Sequence, residues 1–583
     1  MNRNKKRGSP ADISNQNMAK ELLQQGKAYF EQGHWEVAEQ HFLEAVQKDP
    51  TLAEAFNNLG VVYWQNNDHQ KSVEQFKTAL SIDPQNKEAL ANLEEIIEIL
   101  RSSDTNIKKK MDDTPPNTER IKIVDNLEVT VPLSNALMTP FVLKEQLDWF
   151  EDEIIFIRDF IQPGMTVIDI GANYGLYTLS CAKKCGKTGE VWAFEPTVSV
   201  AECLNDSLRT NGFSNTTLIN AGLSNRNGEA KLSLNPNAEL NSLNASPADN
   251  GEYEVIKLKT LDECAREYNW EKIDFIKLDA EGEEVRIIEG GTQTLEKFSP
   301  VIMYELKHGD QVNLSLINAF KRHGYAPYHL IPGPQLLIPF NPGLAFDGFL
   351  LNLFAIKDET ALTLKNKKKL INDLADLDTV SMDDLPGDLW KYILREKAFS
   401  TFSPGSPSVP IIDQWVKTVT TSKERYIQDL SQALNFFSYY LIGKDPNKRL
   451  KALLQSEEIL GQLSGEITDT AITMTRIRVL MDIGRRGDAV VLLDSLIEKI
   501  ISGEKLSYDL PFFPVSERYD NLPTGISPDN WLISSIVELY EKKKTFSSYF
   551  AGKQSIGNLE YLMNLGYCDD EIKRRLNLLK SLP

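Results

Sequence analysis

The stretch Val167-Ile-Asp-Ile-Gly-Ala-Asn-Tyr-Gly175 decides the fold of the central part of the chain. An apolar run of strand length leads into a turn with two glycines, and a helical pattern starts at Leu176. Gly171 permits a tight turn because it has no Cβ, and Gly175 lets the new helix pack closely on the strand. The stretch therefore predicts a strand, a turn and a helix, with a ligand bound where the strand ends.

The spacing of these glycines differs from that of dinucleotide-binding turns, which read Gly-x-Gly-x-x-Gly. Here Asp169 precedes the first glycine, and the second glycine is Gly175. A pyrophosphate prefers a helix N-terminus without a nearby carboxylate, whereas an acidic strand end suits a ligand with an amino and a sulfonium group. The turn thus disfavours a nicotinamide-dependent oxidoreductase built on a similar sheet.

A second acidic strand end follows at Glu195, which closes the apolar run of Val191-Trp-Ala-Phe-Glu-Pro196. An acidic side chain at the end of the second strand of such a fold can accept hydrogen bonds from both ribose hydroxyls. The alternative is an exposed residue near the start of a helix. The turn and Glu195 together favour a nucleoside-containing ligand.

A third acidic cluster lies in the run Ile276-Lys-Leu-Asp-Ala-Glu-Gly-Glu-Glu284, where a strand delivers Asp279 and Glu281 to the ligand-binding edge of the sheet. The next strand, 300–308, ends with Glu305 and His308. A histidine is well placed for proton transfer near neutral pH, although one just after a strand is often only a surface residue. Two carboxylates two residues apart can also hold Mg²⁺ with water, but no further ligands are evident, so no metal is predicted.

From residue 119 to 357 short apolar runs alternate with helical patterns, which predicts a doubly wound α/β domain with a largely parallel sheet. Two further runs, EAKLSL and YEVIKLK, break the alternation after the third strand and predict an inserted β-hairpin pair. The apolar runs of the sheet are TVIDI, EVWAFE, TTLINAG, DFIKLD, VIMYEL and FLLNLFAI.

Before this domain the chain repeats itself with a period of 34 residues, because Gly26 recurs as Gly60. The other matched pairs are Tyr29 and Tyr63, Phe42 and Phe76, Ala45 and Ala79, and Pro50 and Pro84. This pattern resembles the tetratricopeptide repeat, which implies a helical array at 17–101 whose third unit starts at Lys87 and ends near Arg101. The array is either an arm that docks a protein partner or a spacer or oligomerisation element.

The remaining segments are assigned from composition and helical periodicity. Residues 1–16 are basic without a following apolar region and predict a disordered tail, and the polar, Pro-containing residues 102–118 predict a linker. Residues 358–583 predict a mainly helical region, either degenerate repeats or ordinary amphipathic helices. Its expected helices are 364–377, 425–441, 449–463, 472–483, 489–501 and a final segment with Trp531 and Ser547–Phe550.

The net charge of −19 over 583 residues disfavours a large nucleic-acid interface. The five cysteines are odd in number and scattered, which is untypical of a disulfide framework. No signal peptide is evident, and no apolar run reaches the roughly 18 residues of a membrane span. The sequence therefore predicts a cytoplasmic protein without a transmembrane segment.

The trio DIGANYG, AFEP and IKLDAEGEE, in this order, resembles the FkbM family of S-adenosylmethionine-dependent methyltransferases. The resemblance runs from about Thr139 to Ile356 and implies a class I, Rossmann-like methyltransferase core. It implies O-methylation of a hydroxyl on a sugar, a glycan or another small natural product. The residues that it implies for S-adenosylmethionine are Asp169, Gly171, Asn173 and Gly175 at the methionine end, Glu195 at the ribose and Ala221 at the adenine.

The same resemblance places Asp279 and Glu281 at the methyl donor or the acceptor, and these two residues with His308 are the candidate catalytic bases. The family usually has His in the middle position of its Glu-Gly-x-Glu run, whereas this chain has Glu283, which puts a catalytic role for position 283 in doubt. The methyl group would move by in-line displacement, for which the protein aligns the acceptor oxygen and removes its proton. The alternative function is an interaction scaffold in which the repeats bind partners and the α/β domain is inactive.

Overall fold

The computed structural model describes residues 10–66, 69–83, 86–93, 115–235, 237–238, 241, 253–308, 311–312, 314–381, 385, 388–397, 411–467, 469–524 and 527–582. The chain divides into two compact units, Met1–Thr114 and Pro115–Pro583. The predicted sequence of regions is confirmed: a helical repeat region, a central α/β region and a helical C-terminal region.

The first unit consists of paired helices, as the repeat pattern predicts. Its helices are α1 (Pro10–Glu31), α2 (Trp35–Lys48), α3 (Ala53–Gln65) and α4 (His69–Ile82). Residues 87–93 are also helical, while the rest of the predicted third unit, up to Arg101, lies outside the described residues. Helix α1 begins inside the segment 1–16 that the sequence predicted as a disordered tail, so residues 10–16 correct that expectation.

One contact per repeat explains the matched glycines and phenylalanines. A Cβ on Gly26 would lie 2.5 Å from the ring of Phe42, and a Cβ on Gly60 would lie 2.5 Å from the ring of Phe76. Each glycine therefore lets the ring of the second helix sit directly on the backbone of the first helix. Because this contact is local, the period of the repeat could be read from the sequence.

The central region is built on an eight-stranded sheet. Its strands are β3 (Thr166–Ile170), β4 (Glu190–Phe194), β5 (Thr216–Ile219), β9 (Phe275–Leu278), β10 (Val301–Glu305), β13 (Tyr325–Ile331), β14 (Leu336–Pro339) and β15 (Asn352–Lys357). They lie in the order β14-β13-β15-β10-β9-β3-β4-β5. Strands β5, β4, β3, β9 and β10 are parallel, as predicted, whereas β15, β13 and β14 join antiparallel, which corrects the expectation for the last strands.

Helices flank this sheet and bury its apolar faces in three core clusters. They are α5 (Met138–Gln146), α6 (Glu153–Phe160), α7 (Leu176–Cys185), α8 (Val198–Thr210), α9 (Leu261–Glu267), α10 (Glu284–Gly290), α11 (Thr292–Phe298), α12 (Leu314–Arg322) and α13 (Asp358–Asn366). Helix α13 ends well before Leu377, so the helix expected over 364–377 is wrong, and a short 3₁₀ turn (Leu374–Asp376) follows instead.

The described residues form three smaller sheets besides the eight-stranded one. The expected inserted hairpin is present as β7 (Gly228–Ser233) and β8 (Tyr253–Lys259), which pair antiparallel and are joined by β6 (Gly222–Leu223). The sequence did not predict the hairpin of β1 (Thr118–Ile123) and β2 (Leu127–Pro132), which precedes α5. The third is the pair β11 (Lys307–His308) and β12 (Gln311–Val312).

The C-terminal region is helical and has a large core cluster of its own. Its helices are α14 (Leu389–Arg395), α15 (Ile411–Thr421), α16 (Arg425–Ile442), α17 (Pro446–Glu466), α18 (Thr470–Ile483), α19 (Arg486–Ser502), α20 (Glu517–Asp520), α21 (Pro528–Lys543), α22 (Ser548–Ala551), α23 (Ile556–Leu565) and α24 (Asp570–Ser581). The expected helices at 425–441, 449–463, 472–483 and 489–501 correspond to α16, α17, α18 and α19. Among the described residues no helix combines the length and apolar character that a bilayer crossing requires.

A buried ion pair fastens this region to the α/β region. Glu145 of α5 is fully buried and lies 3.0 Å from the Arg575 guanidinium of α24, which is also buried. Glu145 also accepts hydrogen bonds from the backbone N–H and the hydroxyl of Ser548. The two regions that the sequence predicted as separate domains, 119–357 and 358–583, therefore pack as one compact unit.

Replacing Glu145 with Ala should destabilise this unit by about 2–3 kcal/mol, because it removes the buried carboxylate that accepts from Ser548 and faces Arg575, while Arg575 keeps its pair with Glu571 at 2.9 Å. Denaturant unfolding of the full chain measures the effect as a lowered midpoint. The matched control is Glu560→Ala, which breaks the half-exposed pair of Glu560 with Lys580 and should leave the midpoint close to that of the wild type. Equal midpoints for the two variants would show that the buried pair does not hold the regions together.

Candidate functional site

A cavity of about 720 Å³ opens at the carboxyl ends of the parallel strands. Ligands of open α/β sheets bind at this edge. The cavity has three parts, defined here by their residues. The glycine-turn half comprises Gly171–Gly175, Glu195 and Ala221; the carboxylate row comprises Asp279, Glu281 and Glu305; and the aromatic wall comprises Trp149, Phe150, Phe349, Phe546 and Phe550.

Close packing explains why both Gly171 and Gly175 of the turn have to be glycine. Both have positive φ angles, 76° at Gly171 and 91° at Gly175. A Cβ on Gly171 would lie 1.7 Å from the backbone carbonyl oxygen of Asp279, and one on Gly175 would lie 2.2 Å from the Leu204 side chain. The turn can therefore approach the end of β9 only because position 171 has no side chain.

Glu195 lies at the end of β4, buried, and ties two loops together. Its Oε2 accepts from the backbone N–H of Asn173 at 2.9 Å, and its Oε1 accepts from that of Thr197 at 2.8 Å. Burial raises the pKa of Glu195 to about 7 despite these hydrogen bonds. Each carboxylate oxygen keeps a second lone pair, so the group can still accept hydrogen bonds from a ligand.

Asp169 corrects an expectation. It does not line the cavity, because its side chain is turned to α7, where Oδ2 accepts from the Thr178 hydroxyl at 2.5 Å. Its Oδ1 is buried and has no hydrogen-bond donor among the described residues, and burial raises its pKa. Gly171, Asn173, Gly175 and Ala221 do line the cavity, and their contact with a ligand stays a prediction.

Sequence reasoning missed Lys277, a buried lysine on β9 beneath the carboxylate row. Its Nζ donates to Asp279 Oδ2 at 2.8 Å and to the Gly171 carbonyl oxygen at 3.2 Å. Burial alone would lower its pKa, but the carboxylates of Asp279, Asp169 and Glu151 raise it above its usual value. Lys277 thus stays charged and offsets the negative charge of this edge. A signal was present, because a lysine inside the apolar run Phe275–Leu278 is unusual.

The structure brings Asp279 and Glu281 together with Glu305, and carboxylate oxygens of all three lie within 4.8 Å of one another. Glu281 has a φ of 46°, a left-handed conformation that non-glycine residues adopt rarely and that often marks functional sites. Burial, with the neighbouring charges of Asp279 and Glu281, raises the pKa of Glu305. The row can take up or release a proton, and its oxygens are ligands of the type that a divalent cation prefers.

The structure describes the side chain of Glu283 but not that of the other candidate, His308. The backbone of His308 lies in β11, but its side chain is outside the described part of the chain, so its role as a base stays a prediction. Glu283 accepts hydrogen bonds from the Ser224 hydroxyl at 2.9 Å and from Arg286 at 2.5 Å. These two partners hold the carboxylate of Glu283 in place, and Glu283 also lines the cavity.

The aromatic wall is a second feature that the sequence did not reveal. Its rings come from three distant segments, and Phe546 links them, with ring centroids 5.1 Å from Phe150 and 5.4 Å from Phe349. Trp149 packs on Phe150 at 4.4 Å. Because the contacts span hundreds of residues, no local pattern in the sequence could have indicated them.

Comparison with known families agrees with the arrangement of the site. Residues 169–327 match the model of the methyltransferase FkbM domain. Residues 26–67 match a TPR repeat model and residues 53–86 match a tetratricopeptide repeat model. The chain thus carries an FkbM methyltransferase domain and an N-terminal region of tetratricopeptide repeats. No curated protein matches the chain.

Among solved structures, the chain is similar to methyltransferase FkbM from Methylobacillus flagellatus KT, with 19% identity, a TM-score of 0.23 and coverage of 33% of this chain. That match spans 43% of the other protein, less than half its length. A putative rRNA-methylase from Clostridium thermocellum matches with 12% identity, a TM-score of 0.24 and coverage of 36% of this chain and 95% of the other.

A third similar structure is Aeropyrum pernix fibrillarin with natively bound S-adenosyl-L-methionine, with 11% identity and a TM-score of 0.23. The match covers 42% of this chain and 96% of the other. Likenesses at these TM-scores do not bear on the activity of this chain.

Replacing Gly171 with Ala should destabilise the protein by about 2–4 kcal/mol, since the new methyl group collides with the Asp279 carbonyl and the φ angle is unfavourable. The control is Gly212→Ala, whose φ of 70° is similar but whose Cβ would meet nothing within 4 Å. That variant should lose only about 1 kcal/mol. Denaturant unfolding compares the two, and an equal loss would show that the contact between the turn and β9 is not tight.

Proposed function

We propose that this protein is an S-adenosylmethionine-dependent methyltransferase that methylates a hydroxyl of a sugar, a glycan or another small natural product. The observation that carries the proposal is the meeting of Gly171, Glu195 and the carboxylate row at one edge of the sheet, within the part of the chain that matches the FkbM domain. The repeats would dock a protein partner. The cytoplasmic location expected from the sequence stays a prediction.

The residues of the glycine-turn half fit the proposed cofactor. Glu195 is buried at the end of β4 with acceptor lone pairs to spare for two ribose hydroxyls. Ala221 is small and buried at the cavity surface, where a flat base can lie against it. Asn173 and Gly175 line the turn beside the methionine end, and the carboxylate row offers negative charge for a sulfonium and an amino group.

S-adenosylmethionine bound there supplies a methyl group on positively charged sulfur, which an acceptor oxygen takes up by in-line displacement. The protein has to align that oxygen and accept its proton. Asp279, Glu281 and His308 are the proposed bases. Lys277 holds Asp279 from below at 2.8 Å and keeps its orientation fixed.

The alternative is a scaffold whose α/β domain binds no cofactor. It gives no reason for a buried Glu195 bonded to the glycine turn, nor for a cavity of about 720 Å³ at the sheet edge. The two functions differ in whether the cavity binds the nucleoside.

Binding of S-adenosylhomocysteine, measured by calorimetry on the full chain, tests the proposal. At pH 8 about nine tenths of the Glu195 carboxyls are ionised if their pKa is about 7, and at pH 6 about nine tenths are protonated. Only the ionised group accepts from both hydroxyls, so the affinity should rise about tenfold from pH 6 to pH 8. Glu195→Gln should bind about tenfold more weakly at pH 8 and lose this pH dependence.

The matched control is Glu190→Gln, at the opposite and exposed end of the same strand, β4. It should bind like the wild type at both pH values, and the amino group of the ligand titrates alike in all three proteins. A folded wild type that binds no S-adenosylhomocysteine at either pH would refute the methyltransferase and leave the scaffold.

A further inference from the structure

The aromatic wall is held in place by contacts that do not use the cavity. The Arg486 guanidinium donates to the carbonyl oxygens of Lys543 and Thr545 at 2.9 and 2.7 Å. It also lies over the rings of Phe349 and Phe546, 4.3 and 4.9 Å from their centroids. Arg486 therefore fixes the segment that carries Phe546 before any ligand binds.

The α/β region holds the same segment from the other side. The side chain of Gln146 donates to the Phe546 carbonyl oxygen at 2.8 Å, and Glu145 holds the backbone of Ser548. The ring of Phe141 packs edge-on against Tyr549 at 5.5 Å. Residues of the C-terminal helical region are thus built into the rim of the cavity.

The strand order places Phe349, and with it the Phe546 ring that packs on Phe349, beyond the carboxylate row and away from Glu195. Phe349 and Leu351 lie just before β15, and Glu195 lies at the end of β4. Strands β10, β9 and β3 lie between β15 and β4 in the sheet. Four strand spacings separate them, a distance of about 19 Å. The carboxylate row stands at the ends of β9 and β10, between the two. A nucleoside at Glu195 therefore leaves the rings of Phe349 and Phe546 uncovered.

The chemistry of the wall favours an apolar occupant. Its rings are half-buried or exposed, with 48% of Phe550 accessible, and covering such surface is favourable in proportion to the apolar area removed from water. The Arg486 guanidinium already lies over the rings of Phe349 and Phe546, and Lys544, which lines the cavity, pairs with Glu541 at 2.7 Å. A cationic group placed on these two rings would compete with the Arg486 guanidinium for them.

We propose that the aromatic wall, formed in part by Phe546 and Phe550 of the C-terminal region, binds an uncharged apolar face of the methyl acceptor and sets its hydroxyl over the carboxylate row. This rests on the proposed methyltransferase function. The C-terminal helical region is then part of the acceptor site, and Phe546 and Phe550 determine which acceptors are bound. Arg486 is a positioning residue, since it acts through Phe349 and Phe546.

The probe is 2-naphthol, a neutral aromatic alcohol, measured by equilibrium dialysis against the full chain with saturating S-adenosylhomocysteine. The wild type should bind one molecule. Phe550→Ala and Phe546→Ala should each weaken this binding about tenfold, because each removes one ring face from the contact. Binding of S-adenosylhomocysteine, measured by calorimetry, should be unchanged in both variants, which shows that they fold and that the glycine-turn half is intact.

The control is Tyr392→Ala, an exposed ring of α14 that does not line the cavity, and it should bind 2-naphthol like the wild type. If Phe546→Ala fails to fold, 2-naphthol binding by Phe550→Ala, at the more exposed position, still tests the proposal. Unchanged 2-naphthol binding in the wall variants, or none in a wild type that binds S-adenosylhomocysteine, would overturn the assignment. If S-adenosylhomocysteine itself does not bind, the methyltransferase proposal fails, and the assignment of the wall to a methyl acceptor fails with it.

Discussion

The carbonyl oxygen of Asp279 occupies the space that a side chain at position 171 would need, and the cavity depends on this contact. It brings the turn after β3 onto the end of β9, so that Asn173 of the turn reaches Glu195 at the end of β4. Lys277 then joins the two strand ends by donating to both the Gly171 carbonyl and Asp279. These contacts hold three strand ends together before any ligand is present, and such preorganisation is what an alignment-driven reaction requires.

The charges of the site follow from that geometry. The Lys277 ammonium is surrounded by the carboxylates of Asp169, Asp279 and Glu151. Two more carboxylates, Glu281 and Glu305, lie next to Asp279. Among the cavity-lining residues close to β9 there is no second lysine or arginine. The row therefore carries more carboxyl groups than its one cation offsets, and burial together with the neighbouring charges of Asp279 and Glu281 raises the pKa of Glu305. A sulfonium ion next to the row would be stabilised by this excess, and a proton leaving a hydroxyl would find an acceptor there.

Features that depend on local sequence could be predicted, and features that depend on distant segments could not. The strand, turn and helix around Gly171, the acidic residues at the ends of β4 and β9, and the 34-residue repeat all follow from spacing within one or two elements. Spacing does not show which way the Asp169 side chain turns, because a strand offers two faces, and only the packing of α7 with its Thr178 hydroxyl shows which one is used. The sequence predicted a domain boundary near residue 358, but the buried pair of Glu145 and Arg575 joins the two sides of that boundary. The periodicity of the sequence does not indicate such a pair.

The C-terminal region acquires a role from the same long-range contacts. It meets the α/β region through Glu145, Gln146 and Arg486, and between these contacts it places Phe546 at the cavity rim. The most direct test of the account is a crystal structure of the full chain with S-adenosylhomocysteine. The account predicts ribose hydroxyls on Glu195, the base beside Ala221, the sulfur towards the carboxylate row and the aromatic wall left open. A nucleoside stacked between Phe150 and Phe546, or bound outside the cavity, would contradict it.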